Sequence, residues 1–125
     1  MNFEITLSPD GNYIIGKVVG QLTVKTARQL AKEYVKVIES TGIKRILNDV
    51  RGVRDAMGVL NGYSYAYNDI YAIGFPRDIR AAIVADAGDN SHDFQETVAR
   101  NAGYLVKVFH SFDHAVEWLL DLHIH

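Results

Sequence analysis

Residues 48–60 carry the most information about the fold and read Asn48-Asp49-Val50-Arg51-Gly52-Val53-Arg54-Asp55-Ala56-Met57-Gly58-Val59-Leu60. This stretch follows the strand-like segment 43–47, turns through two glycines and enters a helical pattern at Val59. The order predicts a strand that delivers a loop to the start of a helix, a common location of functional residues in α/β proteins. The loop contains no Ser, Thr, Cys, His or Lys, so it offers no obvious nucleophile and no phosphate-binding lysine.

A β-hairpin is predicted upstream of this stretch. Apolar and polar residues alternate over 3–7, a Ser-Pro-Asp-Gly turn occupies 8–11, and a mostly apolar run follows over 13–19. Gly16 and Gly20 weaken the second strand, and glycines at such positions indicate a bulge or a close approach of another group to the backbone.

Helices and strands alternate over the rest of the chain. A helix is predicted between Thr23, a suitable N-cap, and Gly42, a typical terminating glycine. The remaining predicted elements are a strand at 43–49, a helix at 59–73, a strand at 79–85, a helix capped by 89–91, a strand at 104–109 and a helix capped by Ser111. The sequence therefore predicts one α/β domain over residues 1–125, with a mostly parallel five-stranded sheet, a leading hairpin and four helices.

Two arrangements of such a sheet remain open. A doubly wound sheet reverses its strand order and forms a ligand crevice, whereas a singly wound sheet keeps the strands in chain order and places its helices on one side. In the second case the run 79–85, which is apolar in both alternating sets except at Arg80, would leave an apolar sheet face. A two-fold homodimer is predicted to bury that face, with an outward Tyr65 as its anchor.

Composition excludes several classes of protein. The chain has 125 residues, of which 48% are hydrophobic and 22% are charged, and this balance is typical of a globular domain. A net charge of −2 without a basic cluster argues against nucleic-acid binding. The absence of cysteine excludes disulfides and thiolate metal sites. No signal peptide and no apolar run of membrane-spanning length is recognisable, so a cytoplasmic protein is expected. The glycines match neither a dinucleotide nor a P-loop motif, so no cofactor is expected.

The end of the chain carries a resemblance to a known group of domains. Residues 106–119 read Val106-Lys107-Val108-Phe109-His110-Ser111-Phe112-Asp113-His114-Ala115-Val116-Glu117-Trp118-Leu119, a strand followed by a short helix. Together with the leading hairpin and a central strand that ends in Asp49, this pattern resembles the STAS/SpoIIAA-like superfamily of anti-anti-sigma-factor-type domains. It is most similar to the small uncharacterised bacterial SpoIIAA-like proteins of that group. The resemblance implies a right-handed succession of β-α units, which favours the singly wound arrangement.

The resemblance also bears on function. In phospho-switch members of that superfamily, a strand-end Asp precedes an Asp-Ser/Thr-Ser-Gly loop, and phosphorylation of its second hydroxyl residue releases a partner. Asp49 matches the strand-end Asp, but Ala56 and Met57 occupy the hydroxyl positions and cannot accept a phosphoryl group. The resemblance therefore implies a non-enzymatic regulatory or protein-binding module without the phospho-acceptor. Its expected binding surface consists of Arg51, Arg54, Asp55, Met57 and Tyr65.

Tyrosines are concentrated in the predicted helix 59–73, which holds four of the seven. Tyr63, Tyr67 and Tyr71 recur every four residues and share a face. This face is either a core-facing stripe or the wall of an apolar pocket. In the second reading the protein is a carrier or sensor of a small apolar or lipid-like ligand, and the pocket is lined by Tyr63, Tyr67, Ile70, Tyr71 and Phe75.

Polar side chains collect at the carboxyl ends of the predicted parallel strands. They are Asp49, Arg51, Arg54, Asp55, Asp86, Asp89, His92 and His110. Acid–base or metal chemistry would need such groups, but helix capping and ion pairing along the edge are the preferred explanation, and their spacing matches no metal motif. No catalytic residue and no metal site is predicted, and Asp49 is expected to order the loop through backbone N–H groups and an arginine.

Overall fold

The computed structural model describes residues 3–53 and 73–121 of the chain. The elements in these ranges are β1 (Phe3–Leu7), β2 (Ile14–Val18), α1 (Val24–Thr41), β3 (Arg45–Asp49), β4 (Arg80–Val84), α2 (Asp93–Asn101), β5 (Leu105–Phe109) and α3 (Phe112–Leu119). The helix predicted at 59–73 lies outside the described residues except for its last position. Ile73 is helical, and Gly74 follows it with a φ of 89°. The described ranges thus contain three helices.

The five strands stand side by side in chain order, β1-β2-β3-β4-β5. The pair β1–β2 is antiparallel, and the pairs β2–β3, β3–β4 and β4–β5 are parallel. The mixed, mostly parallel five-stranded sheet with a leading hairpin is therefore confirmed. Because the strand order does not reverse in this sheet, the crevice typical of doubly wound folds does not form along it.

Helices lie on both faces of the sheet, so the expected placement of all helices on one side is wrong. Ile46 and Leu47 are neighbours on β3 and therefore face opposite sides. Ile46 belongs to the buried cluster that contains the apolar residues of α1, whereas Leu47 clusters with Ala115 and Leu119 of α3. Since α3 covers β3, β4 and β5 on that side, the argument for a dimer from an uncovered sheet face fails.

Helix α1 has the boundaries that its capping residues predict. The Thr23 hydroxyl accepts a hydrogen bond from the Thr26 backbone N–H at 3.2 Å, and Gly42 ends the helix with a φ of 76°. The buried side of the helix consists of Thr26, Ala27, Leu30, Ala31, Tyr34 and Ile38. These positions follow the helical period, which is why α1 docks along one line onto the sheet.

The two later helices begin differently. Ser111 caps α3 as predicted, since its hydroxyl accepts from the His114 N–H at 3.3 Å. The N-cap of α2 is His92 rather than a residue of 89–91, and its side chain makes no capping bond. Within the described ranges, no helix combines the length and the apolar character that crossing a bilayer would require.

Gly16 allows α1 to approach the sheet closely. An ideal Cβ at this position would lie 1.7 Å from the Tyr34 hydroxyl oxygen. The Tyr34 side chain passes over β2 at this point and donates a hydrogen bond to Asn48 Oδ1 on β3 at 2.7 Å. The close approach predicted at Gly16 is confirmed, and it lets a tyrosine hydroxyl reach the middle of the sheet.

Candidate functional site

Asp49 anchors the loop that follows β3. Its Oδ1 accepts from the Arg51 backbone N–H at 3.1 Å and from Arg51 Nε at 2.9 Å, while its Oδ2 accepts from Arg51 Nη2 at 2.8 Å. Lys17 Nζ on the neighbouring strand lies 3.4 Å from Oδ2. Burial by itself would raise the pKa of Asp49, but the bonds from Arg51 and the charges of Lys17 and Arg51 outweigh it and hold the pKa below its ordinary value. The carboxylate therefore stays ionised and holds the turn.

A second carboxylate holds the same loop from the next strand. Asp86 follows β4, and its Oδ2 accepts from the Gly52 backbone N–H at 2.5 Å. Gly52 itself has a φ of 82°, which a residue with a side chain rarely adopts. His110, which follows β5, donates from Nδ1 to the Asp86 carbonyl at 2.9 Å. The ends of three adjacent parallel strands are thus tied together by hydrogen bonds.

His92 is fully buried and bonds to the end of the loop that follows β3. Its Nε2 lies 2.7 Å from the Val53 carbonyl oxygen, which can only accept, so Nε2 carries the proton. Asp89 Oδ2 is 3.6 Å from the same nitrogen, and Nδ1 has no hydrogen-bond partner among residues 3–53 and 73–121. His92 was expected among the polar groups at the strand ends, and the structure buries its ring completely beneath the loop.

The described polar groups at the strand ends hold the protein's own backbone. Asp49, Asp86, His92 and His110 each bond to a loop or strand terminus, as detailed above. In residues 3–53 and 73–121, no three His, Asp or Glu side chains come close enough together to ligate a metal ion. The arrangement is thus suited to fixing the loop and, in the described ranges, brings no acid–base pair to an open cleft.

Arg51 is the described member of the predicted binding surface. Its side chain is 46% exposed, while its guanidinium is oriented by Asp49 and lies 5.5 Å from the centre of the Phe112 ring. An arginine held on two sides loses little freedom when it binds a partner. The other predicted members, Arg54, Asp55, Met57 and Tyr65, lie outside the described residues.

A cavity of about 150 Å³ lies between α1 and α2, on the face of the sheet away from α3. Its described walls come from both helices, from strands β3, β4 and β5, and from the segment before β4. The lining residues are Leu22, Ala27, Leu30, Ala31, Tyr34, Ile46, Asn48, Phe75, Ile79, Ala81, Ile83, Gln95, Val98, Ala99, Tyr104 and Val106. Most of them are aliphatic or aromatic, so the cavity is suited to an apolar occupant.

Three aromatic rings and one hydrogen-bonded polar pair contribute to the wall of this cavity. Phe75 makes edge-to-face contacts with Tyr34 and Tyr104, at centroid distances of 6.4 and 6.5 Å. The Tyr34 hydroxyl and the Asn48 amide oxygen form the hydrogen-bonded pair described above. Phe75 was predicted to line an apolar pocket and does line this one. The four other predicted residues, Tyr63, Tyr67, Ile70 and Tyr71, lie outside the described residues.

Sequence reasoning missed three residues of the loop anchor and the cavity wall, namely Lys17, Tyr34 and Asn48. Lys17 could have been found from strand order, because it stands directly opposite Asp49 in the β2–β3 register. Tyr34 is one of several apolar residues on the buried side of α1 and carries no signal of its own. Asn48 is a polar residue inside a buried strand, and that anomaly was the available clue.

Comparisons with known proteins identify the fold. No protein-family model matches the chain, and no curated protein matches it. Among solved structures it is similar to an uncharacterised protein of the DUF3478 family with a SpoIIAA-like fold from Shewanella loihica PV-4. The TM-score is 0.61 at 20% sequence identity, over 94% of this chain and 91% of that one. The chain therefore has a SpoIIAA-like fold, as the resemblance implied.

Proposed function

We propose that this chain is a non-enzymatic regulatory module of the STAS-like type, and that its input is a small apolar ligand bound between α1 and α2. The observation that carries the proposal is the cavity of about 150 Å³ with predominantly aliphatic and aromatic walls. Apolar protein cavities of this volume bind molecules of the size of benzene. This cavity supports the interpretation of the protein as a sensor of a small apolar ligand.

The size of the cavity narrows the class of ligand. Pockets for drug-sized molecules usually enclose roughly 300–1,000 Å³, so this cavity suits a single ring or a short branched chain better than a long acyl chain. Few polar side chains line its described wall, namely Tyr34 hydrogen-bonded to Asn48, Gln95 and Tyr104, so the ligand can carry a polar substituent but must be mostly apolar. We therefore infer a monocyclic, mostly apolar ligand such as a benzene or phenol derivative.

The position of Asn48 connects the cavity to the anchored loop. Asn48 lines the cavity on one face of β3, and Asp49, the next residue, holds Arg51 on the other. A ligand that moves the Asn48 backbone would therefore also move the carboxylate that orders the loop. Such coupling requires the ligand to bind the two loop arrangements with different affinity. Ligand occupancy would then take the place of phosphorylation, for which Ala56 and Met57 offer no acceptor.

A protein-recognition module without a ligand is the second candidate function. The observation that favours it is Arg51, which is half exposed and held by both Asp49 and Phe112. Arginines in such positions often dominate binding energies at protein interfaces. In this case partner binding would depend on Arg51 and would be unaffected when the cavity is filled by a larger side chain.

The non-enzymatic part of the proposal is supported by the roles of the polar residues at the strand ends. General acid–base catalysis needs a titratable group within hydrogen-bonding distance of a bound substrate. The described candidates are engaged with the protein backbone, and His92 is fully buried. These polar residues therefore have a structural role at the carboxyl ends of the strands in this proposal.

Thermal unfolding in the presence of small probes tests the ligand proposal. Benzene, phenol and cyclohexane at about one hundred times their Kd should stabilise the protein by ~2.7 kcal/mol, whereas decanoate should not. The Ala99→Leu variant places a larger side chain in the cavity wall and should abolish this stabilisation. Thr97→Leu, on the exposed side of the same helix, serves as the matched control and should respond to benzene like the unmodified chain.

The results that would contradict the proposal are equally specific. If none of the monocyclic probes raises the melting temperature, the cavity is not a ligand site. If Ala99→Leu and Thr97→Leu respond to benzene alike, binding occurs elsewhere on the protein.

A further inference from the structure

The two edge strands of the sheet, β1 and β5, differ in whether side chains bond to their outward backbone groups. At the β5 edge, Arg100 Nε donates to the Val106 carbonyl at 2.7 Å, and Glu96 Oε2 accepts from the Val108 N–H at 2.6 Å. Both side chains come from α2 and occupy backbone groups that an incoming strand would need. The β5 edge is thus closed to strand addition.

The β1 edge carries no such protection in the described ranges. Ser8 N–H bonds to the Tyr13 carbonyl at 2.9 Å, so in this antiparallel pair the even-numbered residues of β1 direct their backbone groups towards β2. The N–H and C=O groups of Phe3, Ile5 and Leu7 consequently point away from the sheet. Within residues 3–53 and 73–121, none of these outward groups has a hydrogen-bond partner.

We propose that β1 pairs with β1 of a second copy of this chain, antiparallel and across a two-fold axis through Ile5. In this register Ile5 lies opposite Ile5 of the second copy, and Phe3 lies opposite Leu7. All three residues have outward backbone groups, so every one of these N–H and C=O groups gains a partner. The two sheets then join into one continuous sheet, and the dimer is closed by its symmetry.

Charge and backbone chemistry favour this register over the two registers that are shifted by two residues. A shift by two residues in one direction would place Glu4 opposite Glu4 of the second copy, and like charges directly opposite each other destabilise a strand pair. A shift in the other direction would bring Pro9, which has no N–H, opposite Phe3. With the axis through Ile5, Glu4 lies opposite Thr6, and neither problem arises.

The side chains of β1 fit the same arrangement. Among residues 3–53 and 73–121, Leu7 is one of three large hydrophobic residues that are strongly exposed, at 46%. It stands opposite Ile14 in the register and thus on the face of the sheet that α1 covers. In the proposed pair, Leu7 contacts Phe3 of the second copy across the axis. The dimer therefore buries an apolar side chain that the single chain leaves in water.

A matched pair of variants tests the proposal. Leu7 and Leu105 are similarly exposed, at 46% and 43%, and lie on the two opposite edge strands. Leu7→Glu should convert the dimer into a species of the 14.0 kDa chain mass in light scattering, whereas Leu105→Glu should leave the dimer intact. A protein that is monomeric throughout a concentration series, or a dimer that Leu7→Glu does not weaken, would overturn the proposal.

Amide hydrogen exchange locates the contact independently of mass. The outward amides of Phe3, Ile5 and Leu7 should be protected in the dimer and exchange rapidly in Leu7→Glu, while those of Glu4, Thr6 and Ser8 stay protected in both. Protection of the second set alone in a dimeric protein would place the interface elsewhere and refute the strand pairing. The proposal does not depend on ligand binding in the cavity, so the two sets of experiments can fail separately.

Discussion

Replacing Asp49 should loosen the loop that follows β3. The Asp49 side chain is 7% exposed and accepts three hydrogen bonds from Arg51, which itself is 46% exposed. Removal of a buried, satisfied hydrogen-bonding group typically costs ~1–3 kcal/mol. Because the half-exposed Arg51 guanidinium can return to water, we expect Asp49→Ala to fall in this range and below the ~3–5 kcal/mol of a fully buried pair.

The assay is thermal or chemical unfolding at several pH values. For a domain of this length, a loss of ~1–3 kcal/mol corresponds to a fall in Tm of roughly 4–12 °C. The folded state lowers the pKa of Asp49, so its ionic contribution is present above the pKa of the unfolded chain and is lost as the pH falls through the folded value. The stability difference between the unmodified protein and Asp49→Asn should therefore be largest at neutral pH and shrink below about pH 4.

The exposed ion pair between Asp78 and Lys44 provides a matched control at the other end of the same strands. Asp78 also has a lowered pKa, owing first to its hydrogen bond with Lys44, but its side chain is 63% exposed. Asp78→Ala should consequently leave the Tm almost unchanged. If Asp49→Ala melts like Asp78→Ala, Asp49 is merely solvated and does not anchor the loop.

Two further substitutions test the packing that positions the loop and the cavity. Gly16→Ala would place a Cβ where the Tyr34 hydroxyl lies and should cost ~1–3 kcal/mol in urea unfolding; unchanged stability would mean that α1 does not approach β2 as closely as described. His92→Leu leaves the Val53 carbonyl without its donor and should cost ~1–3 kcal/mol by the same measurement, with faster amide exchange in the loop. An equally stable His92→Leu protein with an unaltered loop would show that the histidine is only a space-filling residue.

Much of the fold could be predicted from local patterns because the relevant interactions are local. The Thr23 and Gly42 boundaries of α1 follow from capping chemistry within a few residues. The hairpin follows from alternation and a turn, and Gly16 signalled a close approach through its missing side chain.

The placement of the last helix could not be predicted from the same information. The strand β4 is apolar in both alternating sets, with Ala82 on one face and Ile83 on the other, so its sequence is compatible with a helix on either side. Which helix covers which face depends on the path of the chain between elements. That is a tertiary property. The resemblance implied the observed strand order, but the one-sided placement of helices that it also implied is wrong for α3.

The candidate site was predicted in part, for a similar reason. The strand-end position of Asp49 is readable from sequence, and so is its proximity to Arg51 two residues later. The burial of His92 is not readable, because a histidine beside Asp89 and Ser91 suits an exposed helix start equally well. The cavity depends on how α1 and α2 diverge over the sheet, and no single residue encodes that distance.

Methyl NMR spectroscopy with benzene as the probe tests the central claim most directly. If the cavity between α1 and α2 is a ligand site, saturating benzene should shift the methyl resonances of Ala31, Ile46 and Val98, which line it. The methyl groups of Leu119, buried on the other face of the sheet, should not respond. Unshifted resonances at all three lining residues, or shifts confined to the α3 side, would contradict the proposal that this domain senses a small apolar ligand.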